Sequence, residues 1–251
     1  YGLVGSEMCI RDRPHREKWV EKLTERISQV ETIVHNVNSK RTNVILGPKN
    51  HILYGDGTIT DHIKDLQFTL SPHSFFQVNP EQTTVLYDQA LTYADLKGDE
   101  TVIDAYCGTG TISLFLAHKA KHVIGIEIVE PAIINARENA RNNGYDNTEF
   151  IVADAAVEMP KLYNAGVRPD VIVFDPIRAG CKEEVLTSAA GMEPKRIVYV
   201  SCNPATMARD IEILTHYGYE LQEVQPVDMF PMTAHVETVA LLSKLLSLIH
   251  I

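Results

Sequence analysis

The strict alternation of strand-like and helix-like segments between residues 81 and 217 is the feature that most constrains the fold. Short runs of branched apolar residues predict buried strands at 101–105, 123–127, 149–152, 171–175 and 197–200. The spacing of apolar residues predicts helices at 81–94, 111–120, 131–143, around 157, at 183–190 and at 203–217. Strands that are joined through helices form a parallel sheet with helices on both faces. The expected fold class is therefore α/β.

Two further strand patterns, at 221–227 and 236–242, follow each other without a helix between them. Such a pair predicts an antiparallel hairpin, because a parallel pair needs a long crossover connection. The sheet is thus expected to be doubly wound and mostly parallel, with seven strands and the last strand antiparallel.

The residues before this sheet follow a different pattern. Apolar positions at helical spacing predict an amphipathic helix at 15–29. Short β-rich runs, separated by glycine-containing turns, follow at 32–37, 43–46, 51–54 and 67–70. We expect residues 14–75 to be the remnant of a small, mostly antiparallel β-rich module and residues 76–244 to form one larger domain.

Both ends of the chain differ from the rest. Residues 1–13 and 245–251 resemble translated sequencing-adapter read-through, so we expect them to be artefactual and exclude them from fold reasoning. A genuine terminal helix is the alternative for the last few residues. If the ends are artefactual, the chain is a fragment without its true N-terminus.

Composition argues against several classes of protein. No apolar run approaches the roughly 20 residues that span a bilayer, so no membrane association is expected. The four cysteines include no C-x-x-C pair, which argues against a disulfide framework or a metal site and fits a reducing cytoplasm. The formal net charge of −10 argues against binding nucleic acid by bulk electrostatics. An RNA substrate would need a local basic group such as Lys40, Arg41 and Lys49, or a part that is not present, and no protein partner is indicated.

Cys202 lies where the predicted strand at 197–200 ends and the next helix begins. Asn203 is a good N-cap and Pro204 suits the first helical turn. The positive end of the helix dipole would favour the thiolate, which is a nucleophile. A buried small hydrophobic side chain is the alternative interpretation of Cys202, and its neighbours on the same edge of the sheet favour the nucleophile.

The motif DAYCGTG at 104–110 follows the first strand of the sheet and opens a helix. Its glycines allow a ligand to approach the backbone, and helix N–H groups point towards that ligand. Glu127 ends the second strand, where a carboxylate can accept hydrogen bonds from ribose hydroxyls, so an adenosine-containing cofactor is indicated. Ser113 occupies the third glycine position of a dinucleotide site. This favours S-adenosyl-L-methionine as the cofactor and disfavours a dinucleotide oxidoreductase.

Two aspartates follow later strands at the same edge. Asp154 has two interpretations that remain open: a contact with the adenine edge, or an N-cap for the following helix. Asp175 ends the fourth strand and is expected to place a carboxylate beside both the cofactor and the thiol. An ordinary strand-end turn is the alternative for Asp175.

The position of Glu237 is predicted from the geometry of the closing hairpin. If the last strand lies antiparallel beside the Cys202 strand, its beginning lies at the carboxyl edge of the parallel strands. A carboxylate raises the pKa of a neighbouring thiol, so Glu237 fits a base that acts after the thiol has reacted. A nucleophile, a methyl donor and a separate base indicate methylation of a weakly nucleophilic carbon. The thiolate adds to C6 of a pyrimidine, C5 takes the methyl group, the base removes the C5 proton and the thiol is eliminated.

At these residues the sequence resembles the RNA uracil-5-methyltransferases, in particular the 23S ribosomal RNA (uracil-5-)-methyltransferase branch. The resemblance covers nearly everything from about Val30 to Leu242. It is carried by SFFQVN at 74–79, DAYCGTG at 104–110, GIE at 125–127, DPIR at 175–178, SCNPAT at 201–206, DMFP at 228–231 and HVE at 235–237.

The resemblance implies a Rossmann-like class I methyltransferase fold and formation of 5-methyluridine with S-adenosyl-L-methionine. It implies that Cys202 is the nucleophile and that Glu237 removes the C5 proton. It further implies four residues that contact the cofactor or the target base: Gln77, Tyr106, Glu127 and Asp175. Of these, Asp175 is implied to hydrogen-bond to the edge of the uracil ring.

Three other residues of these motifs lack a predicted role in the chemistry. Phe75 and Phe76 are interpreted as core residues, and for at least one of them a core position is preferred to stacking on a base. His235 is interpreted as structural.

The chain also departs from the family. Ile177 stands where the family often has a second proline, which affects the carbonyl geometry after Asp175 but not its carboxylate. The family usually carries an N-terminal RNA-binding barrel, and many members hold an iron–sulfur cluster on four cysteines. This sequence has neither feature, so tight RNA binding is expected to be lost in this fragment.

Two alternatives to the ribosomal enzyme remain open. The transfer-RNA branch of the family shares the chemistry, although the segments at 205–210 and 228–231 resemble the ribosomal branch more closely. A non-catalytic RNA-binding module is the second alternative, and the intact Cys202 and Glu237 argue against it because such a module needs neither.

Overall fold

The structure, a computed structural model, describes residues 15–39 and 45–245. These residues belong to two compact units: the first is drawn from Tyr1–Asp61 and Thr69–His73, and the second from His62–Phe68 and Ser74–Ile251. Several features of the sequence lie outside the described residues: the segment 1–13, Lys40, Arg41, the start of the run at 43–46, and 246–251.

The first unit contains one helix and one antiparallel strand pair. Helix α1 (Arg16–Arg26) ends where Ile27 becomes extended, a few residues before the predicted end. Strands β1 (Ile33–Val37) and β2 (Lys49–Tyr54) pair antiparallel. These elements confirm the predicted helix and two of the predicted runs. The described part of the run at 43–46 is not in a strand.

A two-stranded sheet follows, formed by β3 (Ile59–Ile63) and β4 (Leu66–Leu70). The sequence did not predict β3, because polar Thr, Asp and His residues separate its two isoleucines and four of its five residues are exposed. In the second unit, the backbone of Gln67 is held by the Asn143 side chain, which accepts from its N–H at 2.9 Å and donates to its carbonyl at 2.6 Å.

The second unit is an α/β domain in which strands and helices alternate, as predicted. Its elements are α2 (Pro80–Ala94), β5 (Thr101–Asp104), α3 (Thr111–Ala117), β6 (His122–Glu127), α4 (Glu130–Asn142), β7 (Thr148–Val152), α5 (Ala155–Asn164), β8 (Val171–Phe174), α6 (Glu183–Gly191), β9 (Arg196–Ser201), α7 (Pro204–His216), β10 (Tyr219–Val227) and β11 (Glu237–Lys244).

The seven strands form one sheet in the order β10-β11-β9-β8-β5-β6-β7. Strands β5 to β9 pair in parallel. Strand β11 lies between β10 and β9 and runs antiparallel to both. The predicted mostly parallel, seven-stranded sheet with an antiparallel last strand is therefore confirmed.

The sheet is buried on both faces. On one face, Ile103, Phe174 and Tyr199 belong to a cluster of buried side chains that includes residues of α5, α6 and α7. Other helices contact the same strands, with α2 against β9, β10 and β11, and α3 against β5 and β6. The Tyr87 ring of α2 meets Phe115 of α3 edge to face at 5.3 Å between centroids. This double cover explains the unbroken apolar runs of the central strands.

The carboxyl ends of β5, β6, β7, β8 and β9 lie at one edge of the sheet because these strands are parallel. The antiparallel β11 starts at that same edge. Among the helices of the described ranges, none is both long and apolar enough to cross a bilayer. The described residues also hold no group of three His, Cys, Asp or Glu side chains arranged for a metal ion.

Candidate active site

Cys202 is the first residue after β9 and lies half-buried, with its thiol free. The turn into α7 is built by its neighbours: the Ser201 hydroxyl accepts from the Asn203 N–H at 3.0 Å, and the Asn203 side chain accepts from the Ala205 N–H at 3.2 Å. The predicted strand, N-cap and helix are thus all present around Cys202.

The pKa of Cys202 departs from the sequence-based expectation. Burial, followed by the charge of Glu237, raises the pKa of the thiol above its ordinary value. Asp175 adds to this rise, and Arg178 opposes it. The expected stabilisation of the thiolate by the helix dipole is therefore outweighed, because desolvation and a nearby carboxylate both disfavour a second negative charge.

Glu237 is the first residue of β11 and is almost fully buried. Thr238 lies opposite Ser201 in the antiparallel register, so the next position along brings Glu237 level with Cys202. Burial raises the pKa of this carboxyl, and the positive charge of Arg178 opposes the rise. The sulfur and the carboxyl group therefore meet at one edge of the sheet, as the hairpin geometry predicted.

Asp175 follows β8 directly, at the centre of the same edge. Its pKa is raised well above the usual value by burial and then by the charges of Glu237 and Asp104. Carboxylates that share a poorly solvated region cannot all ionise without cost. The carboxyl group of Asp175 therefore holds its proton more strongly than an exposed aspartate does.

Arg178 is the cation that lowers the pKa of both Cys202 and Glu237. Its Nη2 atom lies 3.0 Å from Nδ1 of His235, and the His235 ring packs edge to face on Phe230 at 6.4 Å between centroids. Sequence reasoning selected neither Arg178 nor a role for His235. Both residues belong to sequence motifs that lie at this edge of the sheet, and this position in the motifs could have identified them as candidate site residues.

Asp104, at the end of β5, is a second residue that the site prediction did not include. It is fully buried, and its Oδ2 atom accepts a hydrogen bond from the Ser113 hydroxyl at 2.6 Å. Its Oδ1 atom is buried without a hydrogen-bond partner. Burial raises the pKa of this carboxyl to about 6. A buried acceptor without a donor is costly, so Oδ1 is a natural acceptor for a cationic or N–H group of a ligand.

The glycines of the motif at 104–110 provide open backbone beside Asp104. Gly108 has φ +53, and a Cβ there would meet no atom within 4 Å. Gly110 has φ +82, and a Cβ there would lie 3.2 Å from the Ala136 side chain. The first position leaves space for a ligand, and the second allows α4 to pack closely.

The two acidic residues expected at the adenosine end lie at the ends of β6 and β7. Glu127 is half-buried, and its Oε1 atom accepts from the Val129 N–H at 2.8 Å. Asp154 is the N-cap of α5, accepting from the Ala156 N–H at 2.9 Å. Its other oxygen pairs with Lys182 at 2.8 Å, and this hydrogen bond is the main reason that its pKa is lowered. The N-cap interpretation of Asp154 is confirmed, and the contact with the adenine edge stays a prediction.

Gln77 and Tyr106 lie near this edge in different surroundings. Gln77 is buried in the segment that leads into α2. That segment is fastened where the Asn79 side chain donates to the Met229 carbonyl at 3.2 Å. Tyr106 is partly buried, and burial, followed by the charge of the Cys181 thiol group, raises the pKa of its hydroxyl.

The two adjacent phenylalanines differ in exposure. The Phe76 ring lies against the fully buried Phe68, with 5.9 Å between ring centroids, but Phe76 is itself only half-buried, so it lies at the margin of the core. Phe75 is 71% exposed, so the core interpretation was wrong for it.

Comparison with known proteins supports one family. Residues 12–245 match the family described as tRNA (Uracil-5-)-methyltransferase. An uncharacterized RNA methyltransferase of Halalkalibacterium halodurans is 58% identical over 229 residues, which cover 91% of this chain and 50% of that protein. One from Clostridium acetobutylicum is 54% identical over 231 residues, covering 92% and 50%. The chain thus spans about half the length of these curated relatives.

Solved structures give a similar result. The Pyrococcus abyssi tRNA (uracil-54, C5)-methyltransferase in complex with S-adenosyl-L-homocysteine aligns with a TM-score of 0.73 and 32% identity. The alignment covers 88% of this chain and 52% of that one. M. jannaschii TYW2 in complex with AdoMet aligns with a TM-score of 0.54 and 21% identity, covering 78% of this chain and 91% of that one, which supports the fold alone. From the family match over most of its length and these identities, the chain belongs to the tRNA (uracil-5-)-methyltransferase family.

Proposed function

We propose that the chain is the methyltransferase part of an enzyme that transfers a methyl group from S-adenosyl-L-methionine to C5 of a uridine in 23S ribosomal RNA. The observation that carries the proposal is that Glu237, at the start of β11, lies close enough to Cys202 for its charge to raise the pKa of the thiol, at the edge that also holds the 104–110 motif. A thiol beside a buried carboxyl group serves addition to a carbon and later removal of a proton. The proposal assigns residues 76–244 to the methyltransferase domain and 14–75 to the remnant of a β-rich module.

The proposed cofactor residues are Gln77, Tyr106, Glu127, Asp154 and Asp175. The unpartnered Oδ1 atom of Asp104 supports this site, because the amino group of a methionine moiety is a donor of the required kind. When bound, the cofactor supplies an electrophilic methyl group. The carboxylate of Glu127 suits ribose hydroxyls, which are hydrogen-bond donors.

In the proposed mechanism, the Cys202 thiol gives its proton to solvent water, Glu237 is in its carboxylate form, and the sulfur forms a bond with C6 of the uracil ring as the C5–C6 double bond opens. Electron density moves to C5 and O4, so that C5 becomes nucleophilic and takes the methyl group. Glu237 then accepts the C5 proton, the sulfur–C6 bond breaks, and Cys202 leaves as the thiolate. Because Arg178 lowers the pKa of Cys202, it favours the first of these steps.

Asp175 is proposed to read the uracil edge. Its raised pKa favours a neutral carboxyl group, which carries one O–H donor and one C=O acceptor. The uracil edge offers an N–H donor at N3 and a carbonyl acceptor at O4, so the two edges are complementary. A hydrogen bond to O4 would also stabilise the negative charge that develops there during addition.

Methylation of a transfer RNA by the same chemistry is the second candidate function. The similarity to the tRNA (uracil-54, C5)-methyltransferase of P. abyssi favours it. The segments at 205–210 and 228–231, which resemble the ribosomal branch, favour 23S ribosomal RNA. A non-catalytic RNA-binding module is the third candidate, with Cys202 and Glu237 against it. The proposal includes a cytoplasmic location, because a free nucleophilic thiol requires a reducing compartment.

The test uses ribosomal RNA and transfer RNA that both lack 5-methyluridine, incubated with methyl-labelled cofactor. We expect labelled 5-methyluridine in 23S ribosomal RNA and expect Cys202→Ala to abolish it while cofactor binding, measured by calorimetry, stays within about twofold. Label in transfer RNA alone would favour the second candidate. Methyl transfer by Cys202→Ala at the wild-type rate would rule out the covalent mechanism.

A further inference from the structure

Asp210 of α7 is a fully buried carboxylate to which neither the proposed chemistry nor the cofactor site assigns a role. Its Oδ2 atom accepts from the Cys181 N–H at 2.7 Å and from the Tyr199 hydroxyl at 2.5 Å. Its Oδ1 atom accepts from Nε and Nη2 of Arg209 at 2.8 and 2.6 Å. Burying a carboxylate costs several kcal/mol unless it is paired and hydrogen-bonded in this way. Packing of α7 alone would not require the charge.

One of these four donors, the Cys181 N–H, belongs to residues 175–182, which join β8 to α6 and which we call the 175–182 loop. Arg209 Nη2 also donates to the Ala179 carbonyl at 3.0 Å. Gly180 has φ +79, and a Cβ at that position would lie 2.6 Å from both Arg209 Nη2 and Asp210 Oδ2. The loop backbone is therefore pressed against the carboxylate so closely that only glycine fits there.

The 175–182 loop is fastened to the start of the same helix as well. The Arg178 carbonyl accepts from the Asn203 side-chain amide at 3.1 Å and from the Thr206 hydroxyl at 3.2 Å. Asn203 directly follows Cys202. Two sets of hydrogen bonds thus join α7 to the loop that begins with Asp175.

We propose that Asp210 is a positioning residue, which holds the 175–182 loop against α7 so that Asp175 and Arg178 face Cys202. The inference rests on the proposed function, since it concerns the same site. Asp210 acts through the loop rather than on the substrate, because both of its oxygens are occupied by Cys181, Tyr199 and Arg209. An amide at this position keeps the volume but turns one acceptor into a donor, so it cannot serve all four donors.

The first measurement is steady-state methyl transfer by Asp210→Asn, Thr206→Val and Glu212→Gln. Displacement of a positioned group by about 1 Å costs up to roughly 100-fold in rate, so we expect Asp210→Asn to lower kcat roughly 10- to 100-fold with KM for RNA little changed. Thr206→Val removes one loop contact without touching the buried charge, and we expect a loss of about fivefold, as for one hydrogen bond. Glu212→Gln alters an exposed carboxylate of the same helix and should keep the wild-type kcat.

The second measurement does not depend on activity. The rate of iodoacetamide alkylation at Cys202, followed by mass spectrometry of its peptide, gives the pH midpoint of the thiol. Glu237, Arg178 and Asp175 are the charged groups that act on this thiol, and the lowering by Arg178 outweighs the rise from Asp175. Displacement of the loop is therefore expected to shift the midpoint upward in Asp210→Asn and, less, in Thr206→Val.

The outcomes separate the two proposals. Wild-type kcat and a wild-type alkylation midpoint in folded Asp210→Asn would overturn the positioning role, and a lower melting temperature alone would mark Asp210 as merely structural. If Asp210→Asn does not fold, the same two readouts from Thr206→Val decide. If the wild-type protein methylates no uridine but the alkylation midpoint shifts in the variants, the proposed function fails and the positioning role stands.

Discussion

Cys202, Glu237 and Asp175 occupy one poorly solvated region, and each of the last two raises the pKa of the thiol. Burial and the charges of neighbouring carboxyl groups raise the pKa of Cys202 and Asp175, and burial raises the pKa of Glu237. The positive charge of Arg178 opposes the rise in the pKa of both Cys202 and Glu237. The pKa of each residue at this site therefore depends on burial and on neighbouring charges as well as on the residue type.

Replacement of Glu237 by glutamine is the prediction at this scale. The amide cannot accept the C5 proton, so the sulfur–C6 bond cannot break and a covalent protein–RNA adduct should accumulate. Loss of a general base lowers turnover on the order of 100- to 10,000-fold. Intact-mass spectrometry after incubation with RNA and cofactor measures the adduct.

The matched control is Glu220→Gln, which makes the same change at an exposed position of the neighbouring β10. It should turn over normally and form no lasting adduct. Free Glu237→Gln protein as the only species, with turnover like that of the control, would contradict the proposed base.

At the scale of elements, the parallel strands and the antiparallel β11 bring distant residues to one edge. The strand positions were predictable from sequence because branched apolar runs mark buried strands. Strand β3 was missed because its residues are mostly polar and exposed. The antiparallel register then determines which residues are neighbours. Because Thr238 lies opposite Ser201, Glu237 at the start of β11 lies level with Cys202, the residue after β9.

Asp154 allows a prediction about one helix. It caps α5 and pairs with Lys182, so Asp154→Ala should destabilise the protein by about 1 kcal/mol, whereas Asp154→Asn keeps the capping oxygen and should cost less. The pKa of Asp154 is lowered in the folded state. Its ionic contribution is therefore present above the unfolded-state value of the pKa and lost as the pH falls through the folded-state value.

Urea unfolding and calorimetric titration with the cofactor check this prediction together. If Asp154 contacts the adenine as proposed, Asp154→Asn should weaken cofactor binding severalfold while stability is nearly kept. Unchanged cofactor affinity in both variants would leave Asp154 as a cap only, and equal loss of stability in both variants would contradict the capping role.

For the whole molecule, the buried Asp104 links stability to pH. Its pKa is raised to about 6 from an ordinary value of 3.8. Below the lower value the carboxyl group is neutral in both states and costs nothing. Between the two values the unfolded chain ionises first, so stability falls as the pH rises, and the loss is complete above about 6. A shift of about 2 pH units corresponds to at most roughly 3 kcal/mol.

Asp104→Asn removes this titration. We expect the variant to be more stable than the wild type by about 1–3 kcal/mol at pH 8, with the difference much smaller at pH 4. Urea unfolding at both pH values measures it. Cofactor binding should weaken, because the proposed acceptor for the amino group is altered. A stability difference that is the same at both pH values would show that Asp104 does not titrate as described.

The sequence by itself determined the strands, the helices, the mostly parallel sheet and the edge at which Cys202 lies. These follow from local apolar patterns and from the rule that parallel strands need crossovers. Tertiary structure alone decided the electrostatics of that edge. From the sequence, the helix dipole predicted a lowered pKa for Cys202 and the carboxylate of Glu237 predicted a raised one; the burial of the thiol, which the sequence does not give, is the largest cause of the observed rise. The sequence also did not predict the contact between Arg178 and His235, which are 57 residues apart. Nor did it predict the hydrogen bond from the Cys181 N–H in the 175–182 loop to Asp210. Desolvation and charge interactions depend on distance in space, and a chain pattern records only distance along the sequence.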